Sequence, residues 1–125
     1  MNRGRFVAWA PVLLYALLIF ALSSLARPQD LVPPELLSHD KLIHFAEYTV
    51  LGGLLARALR AGGRPPVRAF AVALLLGALY GASDELHLAF VPGRDASPLD
   101  WAADAGGTAL GAVAVLFLRR RGGAD

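Results

Sequence analysis

The chain has 125 residues, of which 56% are hydrophobic and only 18% are charged, and its mean hydropathy is +0.51. Because soluble domains carry about a quarter charged residues, this composition disfavours a soluble protein and favours a single membrane domain over residues 1–125. The absence of cysteine excludes disulfides and thiolate metal sites, and a net charge of +2 gives no reason to expect nucleic acid as a partner.

Four apolar segments predict membrane-spanning helices at about 6–26, 40–60, 67–88 and 99–118. The first has no charged residue and is long enough to cross a hydrocarbon core of ~30 Å. We expect it to be retained, since its apolar run is longer than that of a usual signal peptide. The sequence thus predicts an all-α fold, a four-helix transmembrane bundle in contact with the lipid bilayer.

Glycine and proline separate the last three segments. Gly62, Gly63, Pro65 and Pro66 form a basic turn after the second segment, and Pro92-Gly93 lies in a short turn-rich loop between helices three and four. These residues interrupt helical hydrogen bonding or adopt conformations that a helix does not use. They therefore mark where the chain reverses direction.

The arginines predict the orientation of the bundle. Most of them lie in three clusters, at Arg3 and Arg5, between residues 57 and 68, and at residues 119–121. Even numbers of predicted crossings separate the three clusters, so all of them lie on the same side. The positive-inside rule then places both termini in the cytoplasm.

Ionisable residues concentrate at the opposite ends of helices two, three and four. Asp40, His44 and Glu47 share one helical stripe, and Asp100 and Asp104 share another. Charged groups at this depth cost several kcal/mol unless they are paired or hydrated, although acids also suit helix N-termini at the headgroup level. We predict a polar ligand-binding site near the outer face, formed by Asp40, Lys41, His44, Glu47, Tyr48, Tyr80, Asp84, Glu85, His87, Arg94, Asp100 and Asp104.

Small residues predict how the helices pack around this site. Gly77-x-x-x-Gly81 and Gly107-x-x-x-Gly111 give helices three and four faces that allow close contact. The acidic stripes run into these glycine faces or beside them. We therefore expect the carboxylates to face partner helices or a wet cavity, and not lipid.

Several of these residues recur in a characteristic order. The motifs are Asp40-Lys41-x-x-His44-Phe45-x-x-Tyr48, Tyr80-Gly81-x-x-Asp84-Glu85-(x)4-Phe90-x-Pro92-Gly93-Arg94, Ser97-x-x-Asp100 and Gly107. This order resembles that of the VanZ-like family, small bacterial membrane proteins named for a protein linked to teicoplanin resistance. The resemblance covers about residues 9–118, and His87 and Asp104 depart from the expected pattern. It implies a multi-pass protein of the bacterial cytoplasmic (inner) membrane and, for the type member, lower teicoplanin susceptibility.

Several functions fit such a site. A binding module at the outer leaflet would use Arg94 and Lys41 to hold an anionic lipid-linked, cell-wall or glycopeptide ligand. A membrane-embedded hydrolase or transferase acting on a cell-envelope precursor would use Asp84 or Glu85 with His44 as its acid–base pair. The sequence contains no nucleophile or phosphate-binding motif that supports a particular reaction.

Metal binding and transport are the remaining hypotheses. His44-x-x-Glu47 and Asp84-x-x-His87 place mixed ligands on one helix face, but they match no metalloenzyme signature, so no metal and no cofactor are predicted. A channel would need a homo-oligomer, which stays possible, and a polar path across the bilayer. The polar residues stop near Leu51, Gly77 and Gly107, which makes a channel the weakest hypothesis.

Overall fold

The computed structural model describes residues 3–24, 40–91 and 98–118, and all regular structure in these ranges is helical. Helix α4 continues into a π-helical segment at Ala114–Leu118. The second and third helices match their predicted bounds to within one residue at each end, and the fourth does so when this π-helical segment is included. The four helices are α1 Arg3–Ser23, α2 Asp40–Ala61, α3 Pro66–Leu88 and α4 Pro98–Val113.

Helix α1 begins and ends three residues earlier than the prediction of residues 6–26. The predicted start was wrong because it excluded Arg3 and Arg5 as charged. An arginine at a helix end can belong to the helix and extend its guanidinium group towards water. At the other end, the backbone N–H and hydroxyl of Ser24 both bond to the carbonyl oxygen of Phe20, at 3.0 and 2.8 Å. This local bonding closes the last turn before residue 26.

A glycine cap reverses the chain between α2 and α3. Gly63 has a φ of +91°, which favours glycine because it has no Cβ. The N–H groups of Gly63 and Arg64 bond to the carbonyl oxygens of Arg60 and Leu59, at 2.9 and 3.3 Å, as in a Schellman motif. Pro66 then starts α3 at a position where no helical N–H is needed. The predicted turn is confirmed.

Helices α2 and α4 form the most extensive helix pair, and their backbones touch. A Cβ atom on Gly107 would overlap the carbonyl oxygen of Phe45, and one on Gly111 would overlap that of Thr49. Both contacts advance by four residues along each helix, so α2 and α4 run in the same direction. The predicted glycine face of α4 is therefore a contact surface.

Helices α1 and α3 also run parallel to each other. The hydroxyl of Tyr80 donates a hydrogen bond to the carbonyl oxygen of Ala16, and the rings of Phe20 and His87 stack with centroids 4.5 Å apart. The helices thus alternate in direction along the chain. This arrangement brings the end of α3 beside the starts of α2 and α4.

All four helices are long and apolar enough to cross a membrane. Only 22–44% of the residues in their apolar windows are buried within the bundle, and α1 combines a hydropathy of 2.2 with 22% burial. Many large apolar side chains are exposed, among them Leu13, Leu14, Leu17, Leu75 and Leu79. Such a surface suits contact with lipid chains.

Two adjacent glycines of α4 give a test of the helix contact. Gly107→Ala should destabilise the bundle by about 1–3 kcal/mol, since the new Cβ meets backbone that cannot rotate away. Gly106→Ala should leave stability unchanged or raise it by up to about 1 kcal/mol, because its nearest neighbour is a Phe45 ring carbon at an ordinary 3.5 Å. Unfolding of the purified protein in mixed micelles, followed by circular dichroism, would measure both. Equal stabilities of the two variants would contradict the contact.

Candidate functional site

Four ionisable side chains from three helices converge at one end of the bundle. His44 comes from α2, Asp84 and Glu85 come from α3, and Asp104 comes from α4. Each offers one nitrogen or oxygen ligand atom, and these atoms lie within 4.8 Å of one another. As whole residues they are at most 9% exposed, and Asp104 is fully buried. We call these four residues the acidic–histidine cluster.

The imidazole of His44 lies between two carboxylates. Its Nδ1 is 2.9 Å from Oδ1 of Asp104 and 3.8 Å from Oε1 of Glu85. With Asp104 ionised, Nδ1 carries the hydrogen and donates it, because a carboxylate can only accept. This arrangement fixes the ring orientation and would stabilise a positive charge on His44.

Two glycines of α3 make room for Asp104 and its neighbour. A Cβ on Gly81 would lie only 2.9 Å from the Cβ of Asp104 and 3.1 Å from its Oδ2, so Asp104 packs directly on the α3 backbone. One turn further, Thr108 fills the space beside Gly77, and its hydroxyl donates to the carbonyl oxygen of Asp104 at 2.8 Å. The glycine face of α3 is thus confirmed as a contact, and it sets the position of Asp104.

One oxygen of Asp104 has no hydrogen-bond partner within the part of the chain that the structure describes. Oδ1 accepts from His44, whereas Oδ2 is buried and accepts no hydrogen bond there. Buried carboxylate oxygens are usually satisfied by a donor, a water molecule or an ion. Oδ2 is therefore the atom of the cluster at which we most expect a bound donor or ion.

Tyr48 lies at the edge of the cluster. It is fully buried, its hydroxyl donates a long hydrogen bond of 3.5 Å to Oδ2 of Asp84, and its ring centroid lies 6.2 Å from that of Tyr80. The hydroxyl thus joins the cluster, while the ring belongs to the apolar core. Tyr48 can orient Asp84 without being a reactive group itself.

Two predicted site residues of α3 form their hydrogen bonds with α1. Tyr80 donates to Ala16, and Nε2 of His87 lies 3.3 Å from the hydroxyl of Ser24. Both share a helical stripe with Asp84, but their polar groups bond to Ala16 and Ser24, whereas the Asp84 carboxylate accepts from Tyr48 of α2. Their polar groups tie the first helix to the third and lie outside the acidic–histidine cluster.

The other predicted site residues differ in how far the structure describes them. Asp100 is buried one turn before Asp104, and Glu47 is half-buried on α2. Thr108 was not predicted as a site residue, although it continues the four-residue spacing of Asp100 and Asp104. The side chains of Asp40 and Lys41 lie outside the described part of the structure. So does the whole connection 92–97, which includes Arg94 and Ser97.

Comparisons of the chain with protein-family models, curated proteins and solved structures gave no match. The VanZ-like assignment therefore stays a prediction that rests on the motifs quoted above. The site offers an imidazole held between acids, which suits acid–base chemistry, and a mixed set of nitrogen and oxygen donors.

The contact between His44 and Asp104 can be measured with a double-mutant cycle. His44→Ala should destabilise the protein by about 3 kcal/mol or more, because it leaves the fully buried carboxylate without its donor. Adding Asp104→Ala should cost much less in the His44→Ala background than in the wild type. Unfolding in mixed micelles gives the four free energies. Additive losses would show that the two side chains do not interact.

Proposed function

We propose that the protein is an integral membrane protein of VanZ-like type in the bacterial cytoplasmic membrane. The four apolar helices and the exposed leucines on their surfaces support insertion in a bilayer. The motif residues of helices α2, α3 and α4 support the family. Those that the structure describes fall at the same end of the bundle, where three of them, His44, Asp84 and Glu85, form the acidic–histidine cluster together with Asp104.

The arginines support an orientation with both termini in the cytoplasm. The arginines within the described ranges lie at the starts of α1 and α3, at the end of α2 and in the turn that follows α2. All of these positions are at the end of the bundle away from the cluster. By the positive-inside rule, that end is cytoplasmic and the cluster is near the outer face. The arginines concerned are Arg3, Arg5, Arg57, Arg60, Arg64 and Arg68.

The lack of native cysteine makes this topology directly testable. Ala61 and Ala89 are exposed alanines that lie at opposite ends of the bundle, so Ala61→Cys and Ala89→Cys form a matched pair. A membrane-impermeant maleimide should label Ala89→Cys in intact cells or spheroplasts, and Ala61→Cys only after permeabilisation. The reverse pattern would overturn the orientation, and equal labelling of both in intact cells would contradict a membrane-spanning bundle.

The proposed function is recognition of a cell-envelope ligand at the outer face. The observation that carries it is the one-sided placement of the polar groups. Towards the cytoplasmic end the buried core is apolar, with Leu55, Leu59, Ala69, Ala73 and Leu116. A channel needs a polar path across the bundle, and the described residues provide none. A polar site at one end of the bundle suits a ligand that arrives from that side.

The ligand class follows from the charges expected around the cluster. Lys41 and Arg94 would hold the anionic group of a lipid-linked, cell-wall or glycopeptide ligand, and the carboxylates would accept from its amide or ammonium groups. By resemblance to the family, the consequence would be a lower susceptibility to teicoplanin. The binding residues of this proposal include both the cluster and the two basic residues.

An enzyme is the second candidate, favoured by the position of His44 between Asp104 and Glu85. A histidine held in this way suits a general acid or base in hydrolysis or group transfer on a cell-envelope precursor, with Asp84 or Glu85 as its partner. The two functions differ in how variants behave. A catalyst would lose its cellular effect completely in His44→Gln while still binding the ligand, whereas a binding module would lose both together.

Teicoplanin susceptibility of a sensitive Gram-positive host tests the proposed function. The wild-type chain should raise the minimum inhibitory concentration, and Asp84→Asn/Glu85→Gln should abolish the increase, since it removes two charges from the cluster. Ser83→Ala is the matched control, because Ser83 is exposed and, among the described residues, its hydroxyl bonds to the Tyr80 carbonyl of its own helix. Membrane levels of all three proteins should be equal by immunoblot. No protection by the wild type at that level would overturn the resistance role.

A further inference from the structure

We infer that the acidic–histidine cluster is a binding site for one divalent transition-metal ion. His44, Asp84, Glu85 and Asp104 would each supply one ligand atom. The inference does not depend on the identity of the ligand proposed above, or on whether the protein catalyses a reaction. It concerns the inside of the site, where the side chains are nearly or fully buried.

The distances between the four ligand atoms are close to those around a bound ion. Metal–ligand distances are about 2.0–2.2 Å for imidazole nitrogen and carboxylate oxygen, so ligands on opposite sides of an ion are about 4.2 Å apart. The four atoms lie within 4.8 Å of one another. The widest separation among them is therefore only slightly longer than the distance across a bound ion.

An independent observation comes from Asp104. Its Oδ2 is buried and accepts no hydrogen bond within the described ranges, although Oδ1 of the same carboxylate is bonded to His44. Oδ2 lies against α3 beside Gly81, one turn before Glu85 on that helix. A carboxylate oxygen in this position is satisfied by an ion that the α3 acids also bind.

The donor set selects the class of metal. Three carboxylates would suit Mg²⁺ or Ca²⁺, but those ions prefer sites made only of oxygen ligands. The imidazole nitrogen of His44 shifts the preference to Mn²⁺, Fe²⁺ or Zn²⁺. Soft Cu⁺ is disfavoured, because the chain has no cysteine and the only methionine is Met1.

The backbone contacts of the glycines would hold such a site in place. The α2–α4 contact at Gly107 and the α3–α4 contact at Gly81 fix the distances between the three helices that carry the ligands. A site built on packed helices is more precise than one built on loops. Thr108 adds to this by bonding to the carbonyl oxygen of Asp104 from within the same helix.

The first experiment measures metal in the full-length protein, purified in detergent without chelator. Elemental analysis should find about one Mn, Fe or Zn ion per chain. After removal of the metal with a chelator, Mn²⁺ added back should bind, as followed by the electron paramagnetic resonance of free Mn²⁺. Pulsed measurements on the bound Mn²⁺ should detect coupling to one imidazole nitrogen, that of His44. They need no variant and so do not depend on whether a mutant folds.

Two charge-neutralising variants of α4 give the matched comparison. Asp104→Asn should weaken Mn²⁺ binding by at least about tenfold, because even changes outside the ligand set cost that much. Asp100→Asn should weaken Mn²⁺ binding less than Asp104→Asn does, since Asp100 is also acidic and buried but is not one of the four ligands. Mn²⁺ should also raise the melting temperature of the wild type and of Asp100→Asn more than that of Asp104→Asn.

Three results would overturn the site. The first is a folded wild type, monodisperse and helical, that contains no stoichiometric metal and binds no Mn²⁺, which would show that a basic side chain or water satisfies the cluster. The second is equal loss of binding in Asp100→Asn and Asp104→Asn, which would indicate general surface charge. The third is bound Mn²⁺ without nitrogen coupling. Each is separate from the teicoplanin test, because metal content is measured on the purified protein.

Discussion

The backbone contact between α2 and α4 is the constraint on which the rest of the structure depends. At Gly107 and Gly111 the two helices are too close to admit any side chain. Within a bilayer the hydrophobic effect does not drive helices together, so association relies on close packing and interhelical hydrogen bonds. The glycines allow that packing, and the packing holds His44 within 2.9 Å of Asp104 across the same helix pair. The polar contact is thus a consequence of where the backbones meet.

Helix α3 completes the site by the same physical means. Gly77 receives Thr108 and Gly81 receives Asp104, so two α4 side chains fit into the face of α3 that has none. Glu85 follows Gly81 by one turn and so reaches the His44 imidazole. If either glycine carried a side chain, α3 would lie further from α4. The carboxylates of Asp84 and Glu85 would then be too far from the His44 imidazole to interact with it. Small residues therefore determine the position of the charged ones.

Much of this fold can be predicted from the sequence, because the signals are local. The turn at Gly63 follows from a conformation that favours glycine, and the helix bounds follow from where apolar runs stop. The position of His87 against α1 could not be predicted, since periodicity gives the angle of a side chain around its helix but not which neighbour lies there. Helix α1 is apolar on every side, so its sequence does not show which face packs on α3. Thr108 was not predicted as a site residue for a related reason, because an uncharged threonine among small residues gives no signal in the sequence.

The proposed ligand binding and the proposed metal binding are linked by the negative charge of the cluster. Three carboxylates in a low-dielectric bundle repel an anionic ligand and also repel one another. A divalent ion within the cluster reduces their formal charge by two and satisfies the buried Oδ2 of Asp104. The end of the bundle that holds the cluster would then be less negative, and in the proposed function an anionic headgroup or carboxylate could approach it with the help of Lys41 and Arg94. Without an ion, the cluster keeps the negative charge of its three carboxylates except for what a protonated His44 offsets, and a cationic ligand would suit the site better. Under the two proposals, the metal content of the protein would therefore decide which charge of ligand the site can recognise.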